Sequence, residues 1–161
     1  MANTFTSRIY KPSSPEAIEL LTAAAAKAGL PAAWGSDPDA HYILAHESNG
    51  KVGRPNYTFG KAVTAHPETW PGVWERLRRG ENWTTSTATG LGQLLSSNAA
   101  KYYPDGLAGI GDPMNEAVGF LRYIRDRYGS PAVARSVYGR QGTYVHAVTG
   151  KTMKKGFTEG Y

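Results

Sequence analysis

Ala40-His41-Tyr42-Ile43-Leu44-Ala45-His46-Glu47-Ser48-Asn49-Gly50 is the stretch on which the reading of this chain turns, because it puts an acid where helical geometry asks for a hydrophobe. At 3.6 residues per turn, Ala40, Ile43, Leu44 and Glu47 fall at i, i+3, i+4 and i+7, so the carboxyl shares the buried stripe. Ser36 or Asp37 can cap this helix with Pro38 in its first turn, and Asn49-Gly50 can end it. Glu47 then sits in the last turn, where the negative helix end and partial burial both disfavour ionisation. A carboxylic acid that keeps its proton near neutral pH can act as a general acid, for instance toward the leaving oxygen of a glycosidic bond. An ordinary exposed Glu at a fraying helix end would show the same spacing.

Around that helix, 161 residues that are 40% hydrophobic, with four Trp and ten Tyr, suffice for one domain with a substantial core. The most apolar run, residues 17–28, is interrupted by Glu19, Thr22 and Lys27. No window approaches the roughly 18 apolar residues of a membrane span, so a soluble chain is expected. Residues 1–8 lack a hydrophobic signal core, which predicts that the chain as given does not export itself. The absence of cysteine excludes disulfides, thiolate chemistry and Cys-ligated zinc. A net charge of +5 favours an anionic partner such as nucleic acid, a membrane surface or an acidic wall polymer. The basic clusters are Arg76, Arg78 and Arg79, then Arg122, Arg125 and Arg127, then Lys151, Lys154 and Lys155. No regular interleaving of base and aromatic accompanies them, so solvated helix faces are expected rather than a nucleic-acid track.

Taken in order, residues 1–12 read as irregular, a tail that could dock. A helix starts at Ser13 or Ser14, with Glu16 placed to complete a capping box, and stops at Gly29. Residues 51–66 read as a loop or small hairpin rather than a helix. Trp70, Val73, Trp74 and Leu77 make a short amphipathic helix ended by Gly80. The glycine-rich stretch 106–111 lacks phosphate-loop spacing. Asp112 caps a long helix opened by Pro113 and stopped by Gly129, and Ser130-Pro131 begins a last short one. Residues 143–161 alternate weakly and then become a basic tail.

In this order the residues carry a resemblance. Glu47-Ser48 after an apolar helix, then Ala88-Thr89-Gly90-Leu91-Gly92-Gln93, then a long helix, then Tyr138 on a short helix, resembles the lytic transglycosylases of the lysozyme superfamily over about residues 40–142. Within it, Arg122-Tyr123-Ile124-Arg125-Asp126-Arg127-Tyr128-Gly129-Ser130-Pro131 is similar to phage lysins and virion-associated peptidoglycan-degrading proteins. The resemblance implies an α+β, mainly α, lysozyme-like fold, with a small β-hairpin or loop region between the catalytic helix and the Gly-Leu-x-Gln motif. It implies one catalytic domain over 1–161, its core about 13–142, followed by a C-terminal strand and basic tail. The implied activity is cleavage of the β-1,4 bond between N-acetylmuramic acid and N-acetylglucosamine in bacterial peptidoglycan. Glu47 would be the acid/base and Ser48 the neighbour that helps position it. Gln93 would contact sugar near the cleaved bond, Gly90 and Leu91 would shape the cleft wall, and the Tyr138 hydroxyl would hydrogen-bond the catalytic carboxyl.

Gly92 stands where the family usually has Met, Thr87 where it often has Gly, and Gly139 where it usually has Asn. The span from Glu47 to Ala88 is long for the family, and its Tyr57, Trp70, Trp74 and Trp83 suggest a lid or added cleft wall. A transglycosylase needs Glu47 alone, whereas a hydrolase would need a second carboxylate. Glu81 is the candidate for that role, and Glu75 reads as a surface ion pair with Arg79 at i+4. The zinc-protease helix motif fails because position 50 is Gly50, so no metal is expected, and no cofactor. No nucleic-acid partner is expected. If the chain is phage-encoded, virion partners follow, and it would stay in the host cytoplasm until release to the wall or travel in the particle. The alternative is a non-enzymatic wall-binding or virion structural module on the same scaffold.

Overall fold

The computed structural model describes residues 8–155. The expected N-terminal tail as far as Ser7 and the basic tail from Gly156 onward lie outside the described residues. The described chain is mainly helical, with one small antiparallel sheet. Helix α1, Pro15–Ala28, is capped by the Ser14 hydroxyl accepting from the Ala17 N–H, and Gly29 ends it at φ 73°. Because Ser14 rather than Ser13 is the cap, Glu16 falls one residue short of the capping-box position. Helix α2, Pro38–Glu47, is capped by Asp37 accepting from Asp39 N, and Asn49 and Gly50 end it at positive φ. Buried His41 ties the two helices together. Its Nδ1 accepts from Ser13 N at 2.8 Å and its Nε2 donates to Gly35 O at 2.8 Å.

After α2 the chain forms bridged loops instead of a hairpin. Isolated bridges pair Ile9 with Lys51, Pro55 with Thr89, and Thr89 with Leu94. Gly53, Pro55 and Gly60 interrupt the segment, and Pro55 lacks the N–H that a ladder would need. Contrary to the non-helical expectation, a 3-10 turn at Tyr57–Phe59 leads into a single helical turn, α3, Lys61–Thr64. Helix α4, Trp70–Arg78, buries Trp70, Val73, Trp74 and Leu77. The indole of Trp74 donates to Gly53 O at 2.7 Å and that of Trp70 to Val63 O at 2.8 Å, so these two rings are core and pin the loop that follows α2 from beneath.

Helix α5, Ser96–Tyr102, was not anticipated from the sequence; it lies against α6, Pro113–Tyr128. α6 is the central element, buried on most of its circumference, with α1, α5 and α7 (Pro131–Val137) packed around it. Ala117, Val118, Phe120, Leu121 and Ile124 are fully buried along it. Strands β1 (Gly142–Val145) and β2 (Thr152–Lys155) form the sheet, with Gly142 opposite Lys155. Tyr144 anchors it by donating to Arg127 O at 2.8 Å.

Candidate active site

Glu47 ends α2 at the wall of an open cavity of about 570 Å³. Ala40, Ile43 and Leu44 from its stripe are buried beneath it, so the helix that fills the core also fixes the carboxyl at the core's edge. Desolvation raises the Glu47 pKa from 4.5 to about 7, outweighing a hydrogen bond from Tyr138 and the charges of Lys155 and His46, all of which lower it. Tyr138, the first residue beyond α7, is half-buried, and burial, with the Glu47 carboxylate beside it adding to the effect, pushes its phenol ionisation upward. Its ring meets His46 edge-on at 5.7 Å and Tyr42 at 6.1 Å, and this stack orients the hydroxyl.

Across the cavity lie Arg54, Asn56, Tyr57, Ser86 and Gln93. Gln93 takes φ 52° and donates from Nε2 to Arg54 O at 2.7 Å and Gly90 O at 3.0 Å, leaving its amide oxygen to meet a ligand. Asn56 is held by its amide donating to Ser86 O and Ala88 O, both at 2.9 Å, which joins the loop after α2 to the stretch of chain leading into the Gly-Leu-x-Gln loop. Tyr57, 88% exposed, stands at the cavity with its ring free of the core. That is the disposition of a sugar-stacking aromatic.

No family model, curated protein or solved structure matches the chain.

The geometry alone therefore sorts the expected site residues. Glu47, Gln93 and Tyr138 come together. Ser48 is fully buried and closes α2, its hydroxyl donating to Leu44 O and accepting from Gly50 N, so it fixes the helix end that carries Glu47. Gly90 and Leu91 lie behind the wall: Leu91 is fully buried, and a Cβ at Gly90 would stand 2.6 Å from the Glu116 carboxyl. Glu81 is not among the residues lining the cavity. Arg76 and Arg79 hold it from two sides at 3.0 and 2.9 Å and lower its pKa. Arg79 is thus engaged by Glu81 rather than by the expected Glu75, and Arg76 also covers Trp83 at 3.7 Å, occupying that ring's face.

Two residues that sequence reasoning passed over shape the site. Buried Glu116 accepts from Gly53 N and Leu91 N at 2.9 Å on one oxygen and from Gly111 N at 2.8 Å on the other. Burial lifts its carboxyl to about 7 against those three donors. Arg54 and Gln93, each one or two residues from a clamped amide, owe their positions to it. The signal was present: Glu116 precedes Phe120 by four and Tyr123 by seven on the buried side of α6. The second residue is Lys155, expected in a solvated tail but buried, with Nζ donating to Val137 O at 2.9 Å and its charge acting on Glu47. It reads as surface in sequence because only the hairpin fold carries it inward.

Proposed function

We propose that this protein is a peptidoglycan-cleaving glycosidase with Glu47 as its acid/base, acting by lytic transglycosylation. The observation that carries the reading is Glu47 itself, a carboxyl with pKa about 7 at a cavity wall, oriented by Tyr138 and faced by Gln93. At neutral pH a large fraction of it holds the proton that a departing glycosidic oxygen needs. Among the described residues lining the cavity, Glu47 is the only carboxylate. A mechanism that uses one carboxylate twice suits such a wall. Glu47 gives its proton to the leaving oxygen as the anomeric bond breaks. As carboxylate it then takes the proton of the muramic acid C6 hydroxyl, whose oxygen closes on the anomeric carbon to leave a 1,6-anhydro end. No water is consumed, and Glu47 finishes protonated. The lysozyme-like fold belongs to this same proposal, supported by the mainly helical architecture, in which the acid-bearing α2 packs on α7 and α7 in turn on the long central α6.

The test is a mass spectrum of fragments released from purified peptidoglycan. The protein should yield muropeptides lighter by one water than the reducing forms, and Glu47→Gln, which keeps the shape but not the proton, should yield none. Reducing ends retaining the full water would replace transglycosylation with hydrolysis. Cleavage by Glu47→Gln, or no fragments from either protein, would overturn the assignment.

A further inference from the structure

A second groove adjoins the Glu47 cavity. It lies between α5, the last turns of α6 and the β1–β2 hairpin, and Asn98 and Tyr123 line both hollows, so the two share a wall. Lys101, Arg125, Arg127 and Lys154 bring four positive charges to it against the single carboxylate of Asp126, which pairs with Arg125 at 2.9 Å. Arg127 stacks at 5.8 Å from the Tyr123 ring that forms the shared wall. Lys101 and Lys154 are exposed at opposite banks, one from a helix and one from a strand.

From this juxtaposition we propose that the groove is the subsite for the acidic peptide stem of the glycan whose sugars occupy the Glu47 cavity, selecting strands that carry free, non-amidated stems. The inference rests on the glycosidase reading. In such a substrate the stem hangs from the lactyl group of the very sugar that is cut, and five residues extend on the order of 17 Å. A ligand in the cavity therefore delivers its stem to the neighbouring hollow. A diaminopimelate-type stem carries three carboxylates against one ammonium, complementary to the groove's charge. A phosphate polymer would match the charge too, but it is not tethered to the sugar in the cavity.

The test titrates the Glu47→Gln protein at low salt with glycan strands bearing acidic stems, and with the same strands stripped of stems by an amidase. With each exposed ion pair contributing modestly, stem-bearing strands should bind roughly tenfold tighter. The double variant Lys101→Glu/Lys154→Glu in that background should bring the ratio close to one, and so should amidated stems on the unaltered groove, a comparison that needs no substitution in it. A ratio of one with acidic stems, or a ratio that charge reversal and amidation leave unmoved, overturns the proposal. So does displacement of stem-bearing strands by duplex DNA at matched ionic strength. Cleavage of both substrates by the unmutated protein is followed in parallel: cleavage without stem dependence overturns the groove alone, and stem-dependent binding without cleavage overturns the glycosidase reading alone.

Discussion

Glu47 sits between opposing influences, and their balance sets when it is useful. Burial favours the neutral acid; the Tyr138 hydroxyl, Lys155 and His46 favour the anion. Removing one of the anion's supporters must therefore raise the pKa further above about 7. For Tyr138→Phe, the alkaline limb of the kcat/KM profile should move to higher pH than in the unmutated protein, because the acid holds its proton longer. The rate on the acidic plateau should fall at the same time, about tenfold or more, because the carboxyl loses the group that orients it. A pH series with a defined muropeptide oligomer checks both. A limb that stays in place or shifts toward acid would show that Tyr138 does not act on Glu47 through the hydrogen bond.

At the scale of elements, α6 and the loops it organises explain why part of the site was legible in sequence and part was not. Caps are local chemistry, so Asp37, Asp112, Ser130 and the stops at Gly29 and Gly129 fell where the residues indicated. The acid of α2 was legible because it breaks an apolar stripe within one helix. The clamp made by Glu116 was not, since its three donors come from residues 53, 91 and 111, and their convergence is a property of the packed chain. The same holds for Glu81, whose position before the Gly-Leu-x-Gln loop suggested the cleft while two neighbouring arginines draw it to the surface. Glu116→Gln tests the clamp. The amide keeps an oxygen for Gly53 N and Leu91 N but presents its NH2 to the Gly111 N–H, setting donor against donor. The expected cost is about 1–3 kcal/mol at about pH 4, where folded Glu116 holds its proton and its hydroxyl oxygen can still accept from Gly111 N, with weaker glycan binding as the Arg54 and Gln93 backbone relaxes; toward pH 8 the variant's freedom from the ionisation penalty offsets that cost. Urea unfolding and a binding titration read the two effects. Unchanged stability would mean that the three amides are satisfied without the carboxylate.

For the whole molecule, placing carboxyls at about 7 has a consequence for stability. In the unfolded chain these groups return to about 4.5. The folded state thus binds their protons more tightly. The stability each contributes is fully present below about 4.5 and is lost as pH rises through about 7, by up to about 3 kcal/mol per group. Gln at position 47 is neutral throughout, so Glu47→Gln escapes the penalty that the ionised acid suffers in its desolvated place. The variant should therefore match the unmutated protein in urea unfolding at about pH 4 and exceed it by about 1–3 kcal/mol at about pH 8, where the Glu47 carboxylate is charged and buried. Losing the Tyr138 hydrogen bond to a charged acceptor reduces that gain toward the lower end of the range. A difference between the two proteins that is the same at both pH values would mean that Glu47 titrates as it would in water. The acid role assigned to it would then lose its physical basis, because an unshifted carboxyl holds almost no proton at neutral pH.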